Sequence, residues 1–408
     1  MPGDRNDEIQ VALRDHLAWW GLRHIESDAA YFAWQRDVFS LQELATLHQH
    51  IEAKRLATDG PSAEIAFYDL TAQPRFVPAL YSQRYEYYLQ VGSRIARQLD
   101  GAQTMLDVGC GIGLLTTFYA KQCPEATVVG IDRSPASIAL ARQRAQELGL
   151  ANLRFECLDL DQQELSGRFD VIIATHCLLQ AEQDPGLPSS DWQGFTRALD
   201  ANAQQVFEQR TGLGRRLDRL GGALTSHGRM IVFEKTRQLA RRIPFQRALA
   251  ARGLVPLRSP EPIRYHSIEE VTDDGPLYVT GLVSSSNGLA WDEAPEPDGV
   301  SPFHVERLRS VPAEQDQPLY ENHGTSAQQA WLDLPAKQVV EQVTRKEADG
   351  RQLHVEWGRA DGLVYLYCAN TFDQRQLVVI EPARAAMVQT YYKEIIGSQP
   401  DGGREVLR

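Results

Sequence analysis

The chain is 408 residues long, with room for two domains or three. At 43% hydrophobic and 24% charged residues it has the make-up of a soluble globular protein, and no apolar run approaches the ~18–20 residues of a membrane span. A net charge of −12 argues against nucleic acid as a partner, because phosphate binding draws on a basic surface.

The opening segment, M-P-G-D-R-N-D-E-I-Q, lacks the apolar core of a signal peptide, so a cytoplasmic location without membrane association is expected. Cys110, Cys123, Cys157, Cys177 and Cys368 have no zinc-type spacing, so reduced thiols and no metal are expected.

Residues 8–100 read as helices. Val11, Leu13, Leu17 and Trp20 recur with a helical period. Ser40 and Glu43 have the spacing of a capping box, ahead of an apolar stripe at Leu41, Leu44, Leu47 and Ile51. A turn is expected at Asp59-Gly60-Pro61, then a helix within Phe76–Leu99 that carries Tyr81, Tyr85, Tyr87 and Tyr88.

From Met105 onward, strands alternate with helices. A buried strand runs into Gly109, Gly111 and Gly113, and Leu114–Gln122 reads as the helix that follows. The strand Thr127–Ile131 ends in Asp132, and Ser134–Leu148 reads as a helix with Pro135 in its first turn. Asn152–Cys157 and the near-continuous apolar Phe169–Cys177 are the next strands. A proline-rich loop over Asp184–Ser190, a long helix over Trp192–Leu220, Gly221-Gly222 and a strand at Met230–Glu234 complete the series. Such alternation implies a Rossmann-like α/β core, a parallel sheet with helices on both faces and ligands at the carboxyl ends of its strands.

After Pro256 two strands are expected, around Ile263–His266 and Leu277–Val283. Residues 326–408 read as a small α+β unit: a helix at Ala336–Lys346, strands at Leu353–Trp357, Val364–Ala369 and Gln376–Ile380, an Asp361-Gly362 hairpin turn and a closing helix at Ala383–Ile396. Its apolar residues Val355, Trp357, Leu366, Val379 and Ile380 need a packing partner, in cis or in a homodimer. The expected organisation is a helical cap at 1–100, a core at 101–285, a linker at 286–325 and the C-terminal unit at 326–408.

The glycine pattern, G-x-G-x-G with an acid two places before it, differs from the G-x-G-x-x-G of nicotinamide and flavin sites. M-L-D-V-G-C-G-I-G at Met105–Gly113 resembles motif I of the class I S-adenosylmethionine-dependent methyltransferases. V-V-G-I-D at Val128–Asp132, followed by Arg133-Ser134-Pro135, looks like that superfamily's second strand. F-E-C-L-D at Phe155–Asp159, F-D-V-I-I-A-T-H at Phe169–His176 and the stretch Gly221–Glu234 resemble its third to fifth strands. The resemblance covers about Gln103–Pro256, less than half of the chain.

It implies S-adenosyl-L-methionine as cofactor, held by Asp107, Gly109, Cys110, Gly111, Gly113, Asp132, Arg133, Asp159, Leu160 and Thr175. Asp132 would hold the ribose hydroxyls and Asp159 the adenine amino group, with Leu160 close to the ring. The fourth strand ends in Thr175-His176-Cys177-Leu178, without the Asn/Asp-Pro-Pro-Tyr/Phe pattern of enzymes that methylate base amino groups. The site residues then expected are His176 as a base or as a structural hydrogen-bonder, Glu234 as a second acid–base candidate, and Tyr81, Tyr85 and Tyr88 on the acceptor side. The expected function is methyl transfer to an O, N or S nucleophile of a small-molecule or natural-product acceptor. The alternatives are a protein or peptide methyltransferase, or a protein that binds the cofactor for non-methylating chemistry or regulation.

Overall fold

The computed structural model describes residues 2–57, 61–179, 184–268, 270–283, 288–295, 303–304, 308, 317–346 and 351–397. The expected turn at Asp59-Gly60-Pro61 therefore lies outside them apart from Pro61, as does half of the 286–325 stretch. Two compact units form. One comprises Met1–Asp184, Glu208–Arg237 and Gln246–Trp291, and the other Pro185–Phe207, Gln238–Phe245 and Asp292–Arg408.

The first unit opens with helices α1 (Pro2–Trp19), α2 (Asp28–Val38), α3 (Leu41–Leu56), α4 (Ser62–Thr71), α5 (Val77–Ser82) and α6 (Tyr85–Ala96). The helix expected within Phe76–Leu99 is thus two helices, broken at Gln83-Arg84. Leu13, Leu17 and Trp20 of the first period are buried, whereas Val11 is exposed. Ser40 and Glu43 form the expected capping box on α3. The stripe behind it is only partly an inner face: Leu47 is buried, but Leu41 is 85% exposed and Ile51 is exposed too. Leu41 is the first helical residue of α3.

The core follows as β1 (Thr104–Val108), α7 (Leu114–Gln122), β2 (Thr127–Asp132), α8 (Pro135–Glu147), β3 (Leu153–Cys157) and β4 (Phe169–Thr175). Next come α9 (Ala201–Thr211), α10 (Leu213–Ala223), β5 (Leu224–Phe233), α11 (Leu239–Ala250), β6 (Leu254–Pro256), β7 (Glu261–Ser267) and β8 (Glu270–Leu282). Among the described residues the sheet runs β3-β2-β1-β4-β5-β8-β6, with β7 paired to β8. The β3-to-β5 neighbours are parallel, and β8 returns antiparallel to β5. This is the Rossmann-like arrangement, and it brings the carboxyl ends of β1, β2 and β4 to one edge.

Two expectations in this stretch are corrected. Trp192–Leu220 is not one helix: Trp192–Asp200 is irregular, and Gly212, at a φ of 71°, ends α9 and starts α10. Gly221 and Gly222 lie in the last turn of α10, and β5 begins at Leu224, ahead of Met230.

The second unit holds β9 (Tyr320–His323), α12 (Gly324–Leu332), β10 (Gln338–Lys346), β11 (Gln352–Ala360), β12 (Leu363–Asn370), β13 (Arg375–Ile380) and α13 (Ala385–Gly397). Its antiparallel sheet runs β10-β11-β12-β13-β9. The helix expected at Ala336–Lys346 is the strand β10. Val339, Val340, Val343 and Thr344 are β-branched, which favours a pleated strand, and Val343 stands opposite Val355 across the ladder. Asp361 and Gly362 make the expected tight turn, with φ of 47° and 81°. Strand alternation sends Val355, Trp357, Leu366 and Ile380 to one face, under Val388 and Tyr392 of α13. Tyr365, Tyr367 and Val379 go to the other, against Ala327 and Ala330 of α12. Both apolar faces are therefore covered in cis.

Candidate functional site

Asp107 is buried near the end of β1, and Thr116 of α7 donates to its Oδ2 at 2.5 Å. Burial pushes the Asp107 carboxyl up to about 7, with the Thr116 bond working against that rise and nearby Asp132 adding to it. The chain then turns through Gly109, Gly111 and Gly113, all with positive φ. Cys110 ties the turn to β2 by an N–H bond to Ile131 O at 3.0 Å.

The outer two glycines are packed. A Cβ on Gly109 would stand 2.6 Å from Cys177 Cβ, and one on Gly113 would stand 2.7 Å from the Phe155 ring. Gly111 is different. At a φ of 54° it has no atom within 4 Å of where a Cβ would stand, so the middle of the loop opens a cradle.

Asp132, at the end of β2, faces that cradle. Its Oδ2 accepts from Gly111 N–H at 2.9 Å and its Oδ1 from Ser134 N–H at 2.8 Å. Each oxygen keeps a second lone pair. Burial raises its carboxyl, and the two backbone bonds oppose that rise. The neighbouring Arg133 turns towards α4 and pairs with Glu64. Ser134 caps α8, and its hydroxyl donates to Asp69 of α4 at 2.6 Å, with Ala136 N–H donating to the same oxygen at 3.1 Å. Helix α4 is thereby docked beside the β2 end. Asp159 accepts from Asp161 N–H at 2.9 Å in the turn after β3, and Leu160 is buried.

The end of β4 is held from two sides. Glu234, fully buried after β5, accepts N–H bonds from Cys177 and Leu178 at 2.8 Å and from Leu179 at 3.4 Å. Burial raises its carboxyl to about 7 against those three bonds. His176 has a φ of 51°, and its ring stacks on Tyr87. Its Nδ1 lies 2.7 Å from the Arg84 guanidinium and its Nε2 lies 3.2 Å from Asp274 Oδ2. Arginine can only donate, so Nδ1 is the acceptor and the ring proton sits on Nε2 facing Asp274. Burial lowers His176 to about 4, so the ring is neutral at physiological pH. Asp274 also accepts from Tyr265 OH.

The tyrosines divide by helical phase. Arg84, Tyr87, Tyr88 and Val91 recur at helical spacing on the inward side of α6, and Tyr81 stacks against Tyr88. Tyr85 meets His24 instead, away from His176. Tyr87 packs against Phe233 at the end of β5 and against Tyr265. Sequence reasoning passed over Arg84, Asp274, Tyr265 and Asp69; for Arg84, the spacing of three to the already noted Tyr87 was the available signal. Among the described residues no group of three His, Cys, Asp or Glu is placed to hold a metal ion, and no helix is long and apolar enough to cross a membrane.

Residues 99–224 match the family model described as a methyltransferase domain. The chain is 34% identical over 101 residues to malonyl-[acyl-carrier protein] O-methyltransferase of Acetivibrio thermocellus, a match covering 23% of this chain and 35% of that one. It is 42% identical over 89 residues to trans-aconitate 2-methyltransferase of Deinococcus radiodurans, covering 22% and 32%. With release factor glutamine methyltransferase of Geobacter sulfurreducens it shares 35% over 99 residues, covering 24% and 32%. The chain spans about a third of the length of these curated relatives. With the glycine turn, the acid ending β2 and the strand order already described, these matches establish that the chain carries a class I S-adenosylmethionine-dependent methyltransferase domain.

Proposed function

We propose that this chain transfers the methyl group of S-adenosyl-L-methionine to an O, N or S nucleophile of a small-molecule acceptor. The observation that carries the reading is the open cradle at Gly111, faced by Asp132 with lone pairs to spare. That cradle fits a ribose diol beside a backbone with no Cβ in the way. When bound, the cofactor supplies a methyl group on a sulfonium, already activated for displacement.

The protein's part is then to place the acceptor and exclude water. Asp132 and Gly111 would hold the ribose, and α4, docked through Asp69, would shield the β2 end. His176 Nδ1 accepts from Arg84, its Nε2 is buried 3.2 Å from Asp274, and Glu234 spends its oxygens on the 177–179 backbone. This supports reading both as positioning residues for the β4 exit, with neither acting as the base. The printed names of the relatives span an acyl-carrier-protein-bound malonyl group, trans-aconitate and a release-factor glutamine, so they leave the acceptor class open. The small-molecule reading rests on the closed, tyrosine-lined setting of β4's end.

The test is incubation of the full chain with S-adenosylmethionine and a metabolite extract, followed by mass spectrometry. S-adenosylhomocysteine together with a methylated small molecule is expected. Methylthioadenosine in its place would mean attack at the aminopropyl carbon, and a methylated protein as the sole product would overturn the acceptor class.

A further inference from the structure

Arg84 stands at the exit of β4. It precedes α6, and its guanidinium reaches His176, the first residue beyond β4. The next residue, Cys177, packs directly on Gly109 of the glycine turn. Arg84 thus contacts the short segment whose next residue lies against the glycine turn.

Among the described residues its charge has no direct counter-ion. Several buried or half-buried arginines elsewhere in this unit pair with carboxylates, Arg133 with Glu64, Arg216 with Asp161, and Arg252 with Glu208 and Asp218, and half-buried Arg229 is held by the Gln98 and Asp100 carbonyls. Among the described residues Arg84 has one hydrogen-bond partner, the neutral His176 ring, and lies 4.1 Å over the Tyr87 ring. The neutral side chains of Tyr88, Tyr265 and Tyr68 also lie near it. A guanidinium carries five N–H donors and stays charged at any physiological pH. One donor is used. Asp274 sits behind the imidazole, on the far nitrogen, with Tyr265 on the same oxygen. It fixes the His176 ring, and through that ring the direction of the guanidinium.

We propose that the acceptor carries a carboxylate, and that Arg84 binds it through the donors not used by His176. The proposal rests on the methyl-transfer reading of the same site. A planar guanidinium fork fits a carboxylate with two parallel bonds. The aromatic faces of Tyr87 and Tyr88 would cover the apolar part of such an acid. His176 and Asp274 act in this scheme as positioning residues for Arg84.

The test is titration of the full chain, saturated with S-adenosylhomocysteine, with a panel of acids: butyrate, hexanoate, benzoate and phenylacetate. Each is compared with its neutral amide, and phenyl phosphate is included. At least one acid should bind about tenfold or more tightly than its amide, the difference one charge-assisted pair makes. Arg84→Gln should remove that preference, Arg84→Lys should retain part of it, and S-adenosylhomocysteine affinity should be unchanged in both. Melting temperatures near that of the wild type would confirm that the variants fold. Equal binding of acids and amides, undiminished acid binding in Arg84→Gln, or preference for phenyl phosphate would each overturn the proposal. Failure of the wild type to bind S-adenosylhomocysteine would instead sink the underlying methyl-transfer reading.

Discussion

Asp107 and Glu234 are both buried carboxyls with values raised to about 7, and they give the domain a pH signature. A raised carboxyl favours the protonated native state. Its stability contribution is complete below the ordinary value of 3.8 for Asp107 and is lost as pH climbs through about 7. His176, lowered to about 4, runs the other way: its contribution is present above 6.5 and lost as pH falls through about 4. Asp107→Asn should therefore gain stability relative to wild type as pH rises from about 4 to about 7, read as the difference in melting temperature. A difference that does not change with pH would contradict the burial argument. Glu234→Ala orphans three backbone N–H groups, so it should cost about 1–3 kcal/mol in urea denaturation. A neutral result would mean that water replaces the carboxylate. The glycines and Asp132 were legible because motif spacing lies along a single stretch of chain. Arg84 and Asp274 were not, since 190 residues separate them and only the fold puts the His176 ring between them.

At the level of elements, local signals served best where one cause dominated. The helix α8 has its serine cap, its first-turn proline and a stop at Gly149, and all three lie where the sequence put them. Ser134→Ala should remove both the cap and the bond to Asp69, lowering stability by about 1 kcal/mol or more and loosening α4. Hydrogen exchange across residues 62–71 reads the second effect, and unchanged protection there would show that Asp69 does not dock that helix. Misreadings arose where two causes competed. In β10 the charged and long residues interleaved with valine mimic an amphipathic helix, but pairing with β11 decides for a strand. In Trp192–Leu220, composition favours helix throughout, but Gly212 breaks it. At its start, Trp192 leaves the helical pattern to stack on His354 at 3.5 Å.

At the scale of the whole molecule, the second unit is discontinuous in sequence, and this governs what truncation does. Arg197 pairs with Asp373 at 2.5 Å, Ser189 N–H bonds Thr371 O at 2.7 Å, and Arg375 reaches Gly194 O at 3.0 Å. Deleting residues 326–408 removes these partners and leaves Arg197, which is almost fully buried, without its carboxylate. The shortened chain should aggregate or melt well below the full chain. A truncated protein as stable and active as the full chain would show that the 185–207 segment needs no such partner. The central claim, that the glycine turn and Asp132 make an S-adenosylmethionine site, is tested most directly by calorimetry on the full chain. The account predicts micromolar binding of S-adenosylmethionine, about −8 kcal/mol, and a loss of about 1–3 kcal/mol in Asp132→Ala. Absence of binding, preference for NAD, or an Asp132→Ala variant that binds as the wild type does would contradict it.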